Sequence, residues 1–187
     1  MITAADDLRT SSTFLTAANL LSIARAALSV PFVLVMLSGS PNARWWGLAI
    51  IIVAVATDRL DGALARRYNQ VTEWGKILDP LADKIGVAGV GLVLLARGEI
   101  PLWFVASLLG RDLLIFAGGI FLKIRFGLIL PSNVVGKWTI GVVAVTLTFA
   151  LMGVPGWLMT TGIAASASML LLSLALYARV FVQKMKG

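Results

Sequence analysis

Six apolar stretches, at residues 14–37, 45–66, 79–97, 102–123, 134–152 and 156–180, dominate the sequence. A helix that crosses a bilayer needs roughly 20 predominantly apolar residues, and each stretch is about that long. The separators are short and turn-like: Ser38 to Asn42, Gly98 to Pro101, Pro131-Ser132-Asn133 and Gly153 to Gly156. Composition agrees, because 59% of the residues are hydrophobic and 13% charged, whereas soluble domains hold about 45–50% and about 25%. The expected fold is therefore an all-α integral membrane protein, a six-transmembrane-helix bundle over residues 13–187. A short polar segment, residues 1–12, precedes it. It carries Asp6, Asp7 and Arg9, lacks the basic start of a cleaved signal, and reads as an interfacial or cytoplasmic arm.

Charge sets the expected orientation. With both termini in the cytoplasm, Arg9, Arg59, Arg66, Arg67, Lys76, Lys84, Lys123, Arg125, Lys137, Arg179, Lys184 and Lys186 lie on or near the inner side, and Arg44 and Arg97 fall outside. The reverse orientation would violate the positive-inside tendency. The net charge of +7 thus reads as an orientation signal, with some attraction to anionic headgroups, and not as a nucleic-acid footprint. The chain has no His and no Cys. That excludes disulfides, thiol nucleophiles, imidazole bases and Cys/His zinc sites. Any metal must be held by oxygen, and any general base must be a carboxylate, a Lys or a Tyr.

Four of the nine acids, Asp58, Asp61, Asp79 and Asp83, fall at the end of the second stretch and the start of the third. An ionised side chain within a span costs at least a few kcal/mol, so four together need compensation. Spacings of i, i+3 and i, i+4 put each pair on one helix face. Two antiparallel helices can then point four carboxylates at one another. Like charges this close raise one another's pKa unless cations intervene. An all-oxygen site suits Mg²⁺, Mn²⁺ or Ca²⁺, and metals plus a carboxylate left to take a proton form a workable phosphoryl-transfer site. The alternative is a solvated charge cluster in which the acids pair with Arg59, Arg66, Arg67, Lys76 and Lys84.

From Asp58 to Asp83 the sequence fits D-x-x-D-G-x-x-A-R-x8-G-x3-D-x3-D at every specified position. This resembles the signature of the CDP-alcohol phosphatidyltransferases. The resemblance implies that family's six-helix membrane fold, and transfer of a phosphoalcohol group from a CDP-linked donor to a hydroxyl with release of CMP. It also implies two divalent ions, Mg²⁺ or Mn²⁺, a homodimer, and a cytoplasm-facing site in what would be a bacterial inner membrane. By matching position, Asp58, Asp61 and Asp79 would be metal ligands. Asp83 would sit at the metal site as the base for the attacking hydroxyl. Gly62, Ala65, Arg66 and Gly75 would shape the CDP pocket together with Asp58 and Asp61. Asn19-Leu-Leu-Ser22-Ile-Ala-Arg25 resembles the N-x-x-[ST]-x-x-R opening of the family's first span, which adds Asn19 and Ser22 to that pocket; alternatively, Asn19 and Ser22 bond across helices and Arg25 snorkels to the interface.

Ala56-Thr57-Asp58, Asn69-Gln70-Val71-Thr72 and the run from Gly75 to Lys84 resemble the phosphatidylglycerolphosphate synthase and cardiolipin synthase branches, whose donor is CDP-diacylglycerol. The leading acceptor is sn-glycerol 3-phosphate, whose phosphate needs cations; Arg111, Lys123, Arg125, Lys137 and Arg179 are the candidates. For the last four the plain alternative is positive-inside decoration, and Arg111 can instead pair with Asp112 or a neighbouring helix. Two departures point elsewhere. Asp112 and Gly119 stand where the glycerol-phosphate enzymes have Glu and a second Arg, and Asn133 and Thr139 replace a Ser and a Lys. Gly110-Arg111-Asp112 is closer to the cardiolipin synthase branch, whose acceptor is phosphatidylglycerol; inositol phosphate is a further alternative. Outside this class, a six-span cation transporter would also use intramembrane acids. Against it, the last two stretches contain no acid.

Overall fold

The computed structural model describes residues 17–67, 75–127 and 134–186 and, within them, the side chains of all but 17–19, 58–67, 75–80, Lys123 and Lys186. The polar segment 1–12 lies outside the described residues. Helices form α1 (Ala17–Ala27), α2 (Ser29–Leu37), α3 (Ala43–Arg67), α4 (Gly75–Ala96), α5 (Leu102–Phe126), α6 (Val134–Met152) and α7 (Gly156–Lys186). The described residues include no strand.

The first apolar stretch is a helical run interrupted at one residue. Leu28 separates α1 from α2 while keeping helical angles, with its N–H on the Ala24 carbonyl at 3.0 Å. Pro31 explains the interruption: it has no N–H to donate to residue 27, and its ring crowds that carbonyl. Elsewhere the helices stop where glycine permits. Gly98 (φ +70°) and Gly153 (φ +64°) adopt left-handed angles. Behind them the Glu99 N–H reaches Leu94 O at 2.9 Å and the Val154 N–H reaches Phe149 O at 3.3 Å. These closures satisfy carbonyls that a helix end leaves open, and Pro101 and Pro155 follow as residues that cannot continue the helix.

Among the described residues, four runs are long and apolar enough to cross a membrane: Leu20–Leu37, Leu102–Phe126, Val134–Met152 and Gly156–Met185. This is fewer than the six expected. Among the described side chains of α3 the run Ala43–Thr57 is apolar, and the sequence continues with Asp58, Arg59, Asp61, Arg66 and Arg67. α4 opens with Lys76, Asp79, Asp83 and Lys84. The two helices that carry the acidic motif are thus the two whose charge dilutes the spanning signal. Exposed residues are those of a lipid-facing surface: Leu34, Leu113, Ile124 and Leu171 are each at least 66% exposed, while Ser22, Ser166 and Ser173 are fully buried. Trp45, Trp46, Trp103 and Trp157 stand exposed in the first turns of α3, α5 and α7, where amphipathic rings suit a membrane–water boundary.

The chain forms two compact units, residues 1–90 and 91–187. In the first, α1 and α2 pack on α3. The α1–α2 run also lies beside α4, where a Cβ added to Gly89 would come 3.7 Å from the Ser29 Cβ. In the second, α7 packs against both α5 and α6. Its seam with α6 is polar: Thr146 Oγ1 lies 3.0 Å from the Val142 and Gly162 carbonyl oxygens and 2.8 Å from Ser166 Oγ. Close approach depends on Gly162, where an added Cβ would come 3.2 Å from Thr146 Oγ1 and 3.3 Å from its Cγ2. Gly162→Ala is therefore expected to destabilise by about 1 kcal/mol, crowding outweighing alanine's better helix propensity. In a Thr146→Ala background the same change should be neutral or stabilising. Thermal unfolding in detergent of the two single variants and the double variant checks this.

Candidate active site

The acidic motif is carried by helical backbone throughout its described part. Asp58, Asp61, Gly62, Ala65 and Arg66 lie in the last three turns of α3, and Gly75, Asp79 and Asp83 in the first three of α4. α3 returns antiparallel to the α1–α2 run through the short turn after Leu37. α4 runs parallel to α1–α2, since Arg25 meets Asp83 and Ser29 lies beside Gly89. The start of α1, the end of α3 and the start of α4 consequently share one end of the first unit. Asn19, Asp58, Asp61, Gly62, Ala65, Arg66, Gly75 and Asp79 lie outside the described side chains.

Where side chains are described, they converge. α1 turns a polar face inward: Ser22 is fully buried and Arg25 is 6% exposed, while Leu20 and Ile23 face outward. This is the arrangement a lipid environment favours, with ionisable groups directed to the protein interior. The buried guanidinium donates from Nη1 to Asp83 Oδ1 at 2.6 Å. Arg25 therefore does not reach out to the interface; it neutralises the fourth acid of the motif. The Asp83 carboxylate remains 57% exposed, so the pair has a buried cationic end and an open anionic end. Breaking a buried ion pair from one side costs about 3–5 kcal/mol, an upper bound here because Asp83 is open to solvent screening. Thr57, beside the motif, turns its hydroxyl back to its own helix, 2.8 Å from Ala54 O and 2.9 Å from Val53 O.

The donor chemistry suits an oxygen-coordinated divalent ion: Asp83 presents an accessible carboxylate, and the other three acids of the motif belong to the last turns of α3 and the first turns of α4. Among the described residues no cluster of three or more metal-ligating side chains occurs; Asp58, Asp61 and Asp79 lie outside the described side chains.

The proposed acceptor cations belong to the second unit. Arg111 is 8% exposed and engaged on three sides. Its Nη1 donates to Asp112 Oδ1 at 2.6 Å, its Nη2 donates to Ser173 Oγ at 2.5 Å, and its guanidinium carbon lies 5.8 Å from the Tyr177 ring centroid. Both the Asp112 pairing and the contact with a neighbouring helix are thus realised; Ser173 and Tyr177 are partners the sequence did not suggest. Arg125, Lys137 and Arg179 are exposed. They share one end of this unit. α5 and α7 run parallel, since Gly118 packs near Phe181 as Arg111 does on Ser173; α6 runs antiparallel to α7, since Thr139 reaches Met169 O and Thr146 reaches Gly162 O.

Comparison with known proteins accords with the motif. The sequence profile described as CDP-alcohol phosphatidyltransferase matches residues 15–180. A Mycobacterium tuberculosis H37Rv protein named as a candidate cardiolipin synthase is 41% identical over 129 residues, 68% of this chain and 60% of that protein. Another from the same strain, named as a probable phosphatidylglycerophosphate synthase, is 35% identical over 164 residues, 83% of this chain and 75% of that one. The Bacillus subtilis CDP-diacylglycerol–glycerol-3-phosphate 3-phosphatidyltransferase is 32% identical over 131 residues, covering 64% and 67%. Matches that extend well beyond the acidic motif into the later helices leave one assignment: the chain belongs to the CDP-alcohol phosphatidyltransferase family.

Proposed function

We propose that this protein transfers the phosphatidyl group of CDP-diacylglycerol to an alcohol, with sn-glycerol 3-phosphate as acceptor, phosphatidylglycerolphosphate as product and CMP released. The observation that carries the reading is the complete motif from Asp58 to Asp83, set at the joined ends of α3 and α4 in a chain of this family. Asp58, Asp61 and Asp79 would hold two divalent ions, Mg²⁺ or Mn²⁺, with Asp83 beside them. Bound there, such ions would neutralise charge building on the diphosphate. Asn19, Ser22, Gly62, Ala65, Arg66 and Gly75 line the nucleotide side. The open carboxylate of Asp83 accepts the proton of the acceptor hydroxyl as its oxygen bonds to the phosphatidyl phosphorus. The phosphoanhydride bond breaks and CMP leaves with the bridging oxygen. The cations that the sequence offers for the acceptor's phosphate are Arg111, Arg125, Lys137 and Arg179.

The protein spans the membrane six times as residues 13–187, α3 and α4 crossing with their charged ends at the inner face. It does so as a homodimer, in a bacterial inner membrane with both termini and the site cytoplasmic. A second reading rests on Gly110-Arg111-Asp112 and the 41% identical relative: the acceptor is phosphatidylglycerol and the product cardiolipin. An acceptor panel of glycerol 3-phosphate, phosphatidylglycerol, inositol phosphate, inositol and serine with labelled CDP-diacylglycerol decides. CMP release is expected to be fastest with glycerol 3-phosphate, to stop on chelation, and to return with Mg²⁺ or Mn²⁺. Preference for phosphatidylglycerol would move the protein to the cardiolipin branch.

A further inference from the structure

Asp83 is more than half exposed, and an aspartate so placed on a helix ordinarily samples several rotamers. Here one carboxylate oxygen is fixed from inside the protein. Arg25 is 6% exposed and its Nη1 lies 2.6 Å from Asp83 Oδ1. Charge-assisted bonds of this length are the strong, geometrically demanding ones. The guanidinium is itself held: Arg25 sits one turn after the fully buried Ser22 on α1, and the α1–α2 run is registered against α4 by the close approach of Ser29 to Gly89. The opposed chemistry of the two ends, a buried donor and an accessible acceptor, is what a carboxylate aimed at a bound substrate requires.

We propose that Arg25 is a positioning residue for catalysis, setting the direction in which the Asp83 carboxylate meets the acceptor hydroxyl. This rests on the reading of Asp83 as the base. It separates Arg25 from the nucleotide-contacting role that its place in the Asn19–Arg25 segment would otherwise suggest.

The test is a double-mutant cycle in the full chain, reading kcat, KM for CDP-diacylglycerol, and Tm in detergent for Arg25→Met, Arg25→Lys, Asp83→Asn and the Arg25→Met/Asp83→Asn pair. Misplacing a catalytic group by about an ångström costs on the order of 100-fold. Arg25→Met should therefore lower kcat by about that factor with KM changed less than about threefold, and Arg25→Lys should recover about tenfold of the loss. Adding Arg25→Met to Asp83→Asn should cost no more than about a further twofold, because the group being positioned has already lost its function. Equal kcat losses in both backgrounds, or a raised KM at unchanged kcat, would overturn the proposal. Should Arg25→Met not fold, Arg25→Gln takes its place in the cycle under the same criteria. A wild-type protein that releases no CMP would remove the reading of the enzyme itself, whereas an active wild type with an additive cycle removes only the role of Arg25.

Discussion

Asp83→Asn is expected to lower CMP release from CDP-diacylglycerol by about 10³-fold, with little change in KM and a folded protein. The size follows from what a positioned base contributes, typically 10²–10⁴. The fold survives because asparagine keeps an oxygen that can accept from Arg25 Nη1, so the buried guanidinium retains a hydrogen bond although it loses its counter-charge. The residual cost falls on stability: a few °C in Tm would accompany the lost ion pair, and the open position of Asp83, 57% exposed, keeps that cost well below the loss expected of a fully buried pair. Steady-state kinetics beside a detergent melt separate the two effects. A rate equal to wild type would dismiss Asp83 as the base.

Arg111→Met should act in the opposite way, through stability first. The side chain ties α5 to α7 by a bond to Ser173, an ion pair with Asp112 and a stack on Tyr177, and Asp112 is only 25% exposed. Removing the cation leaves a largely enclosed carboxylate without its partner, at about 2–4 kcal/mol. Ser173→Ala, which removes one donor–acceptor contact and leaves the charge paired, should cost about 1–2 kcal/mol. The two effects should be less than additive in the double variant, because both act on one interaction. Differential scanning measurements on purified protein give these values. An acceptor-binding role alone would leave Tm unchanged and raise the KM for glycerol 3-phosphate at least tenfold; that pattern would place the Arg111 guanidinium on the substrate and not between helices.

Most of the helical layout is legible in the sequence because apolar runs of bilayer length have few alternatives. The fifth stretch matches α6 at both ends, and the others match within a few residues. Three departures have local causes. Pro31 interrupts the first run. The last helix continues to Lys186, beyond the expected 180, because Phe181 packs on Phe121 and Gly118 of α5 and extends the seam. The motif helices fall short of a clear spanning signal because the charges that make the site also dilute the hydrophobic pattern. The motif was legible because the chain is so poor in charge: five of nine acids, the four motif aspartates and Glu73, fall in 26 residues and stand out against such a background. Partners far apart in sequence were not. Arg25 finds Asp83 58 positions away and Arg111 finds Ser173 62 positions away. Only the parallel packing of α1 with α4, and of α5 with α7, brings them together, and no periodicity within one helix encodes that choice.

Phosphatidyl transfer is covalent, so the transferred group itself can be followed. Purified protein in liposomes is supplied with CDP-diacylglycerol labelled in the phosphatidyl phosphate, Mg²⁺ or Mn²⁺, and sn-glycerol 3-phosphate. Label is expected to pass into phosphatidylglycerolphosphate in one-to-one proportion with CMP released. Intact donor with every acceptor, together with cation flux that depends on Asp58 and Asp61 without nucleotide, would contradict it.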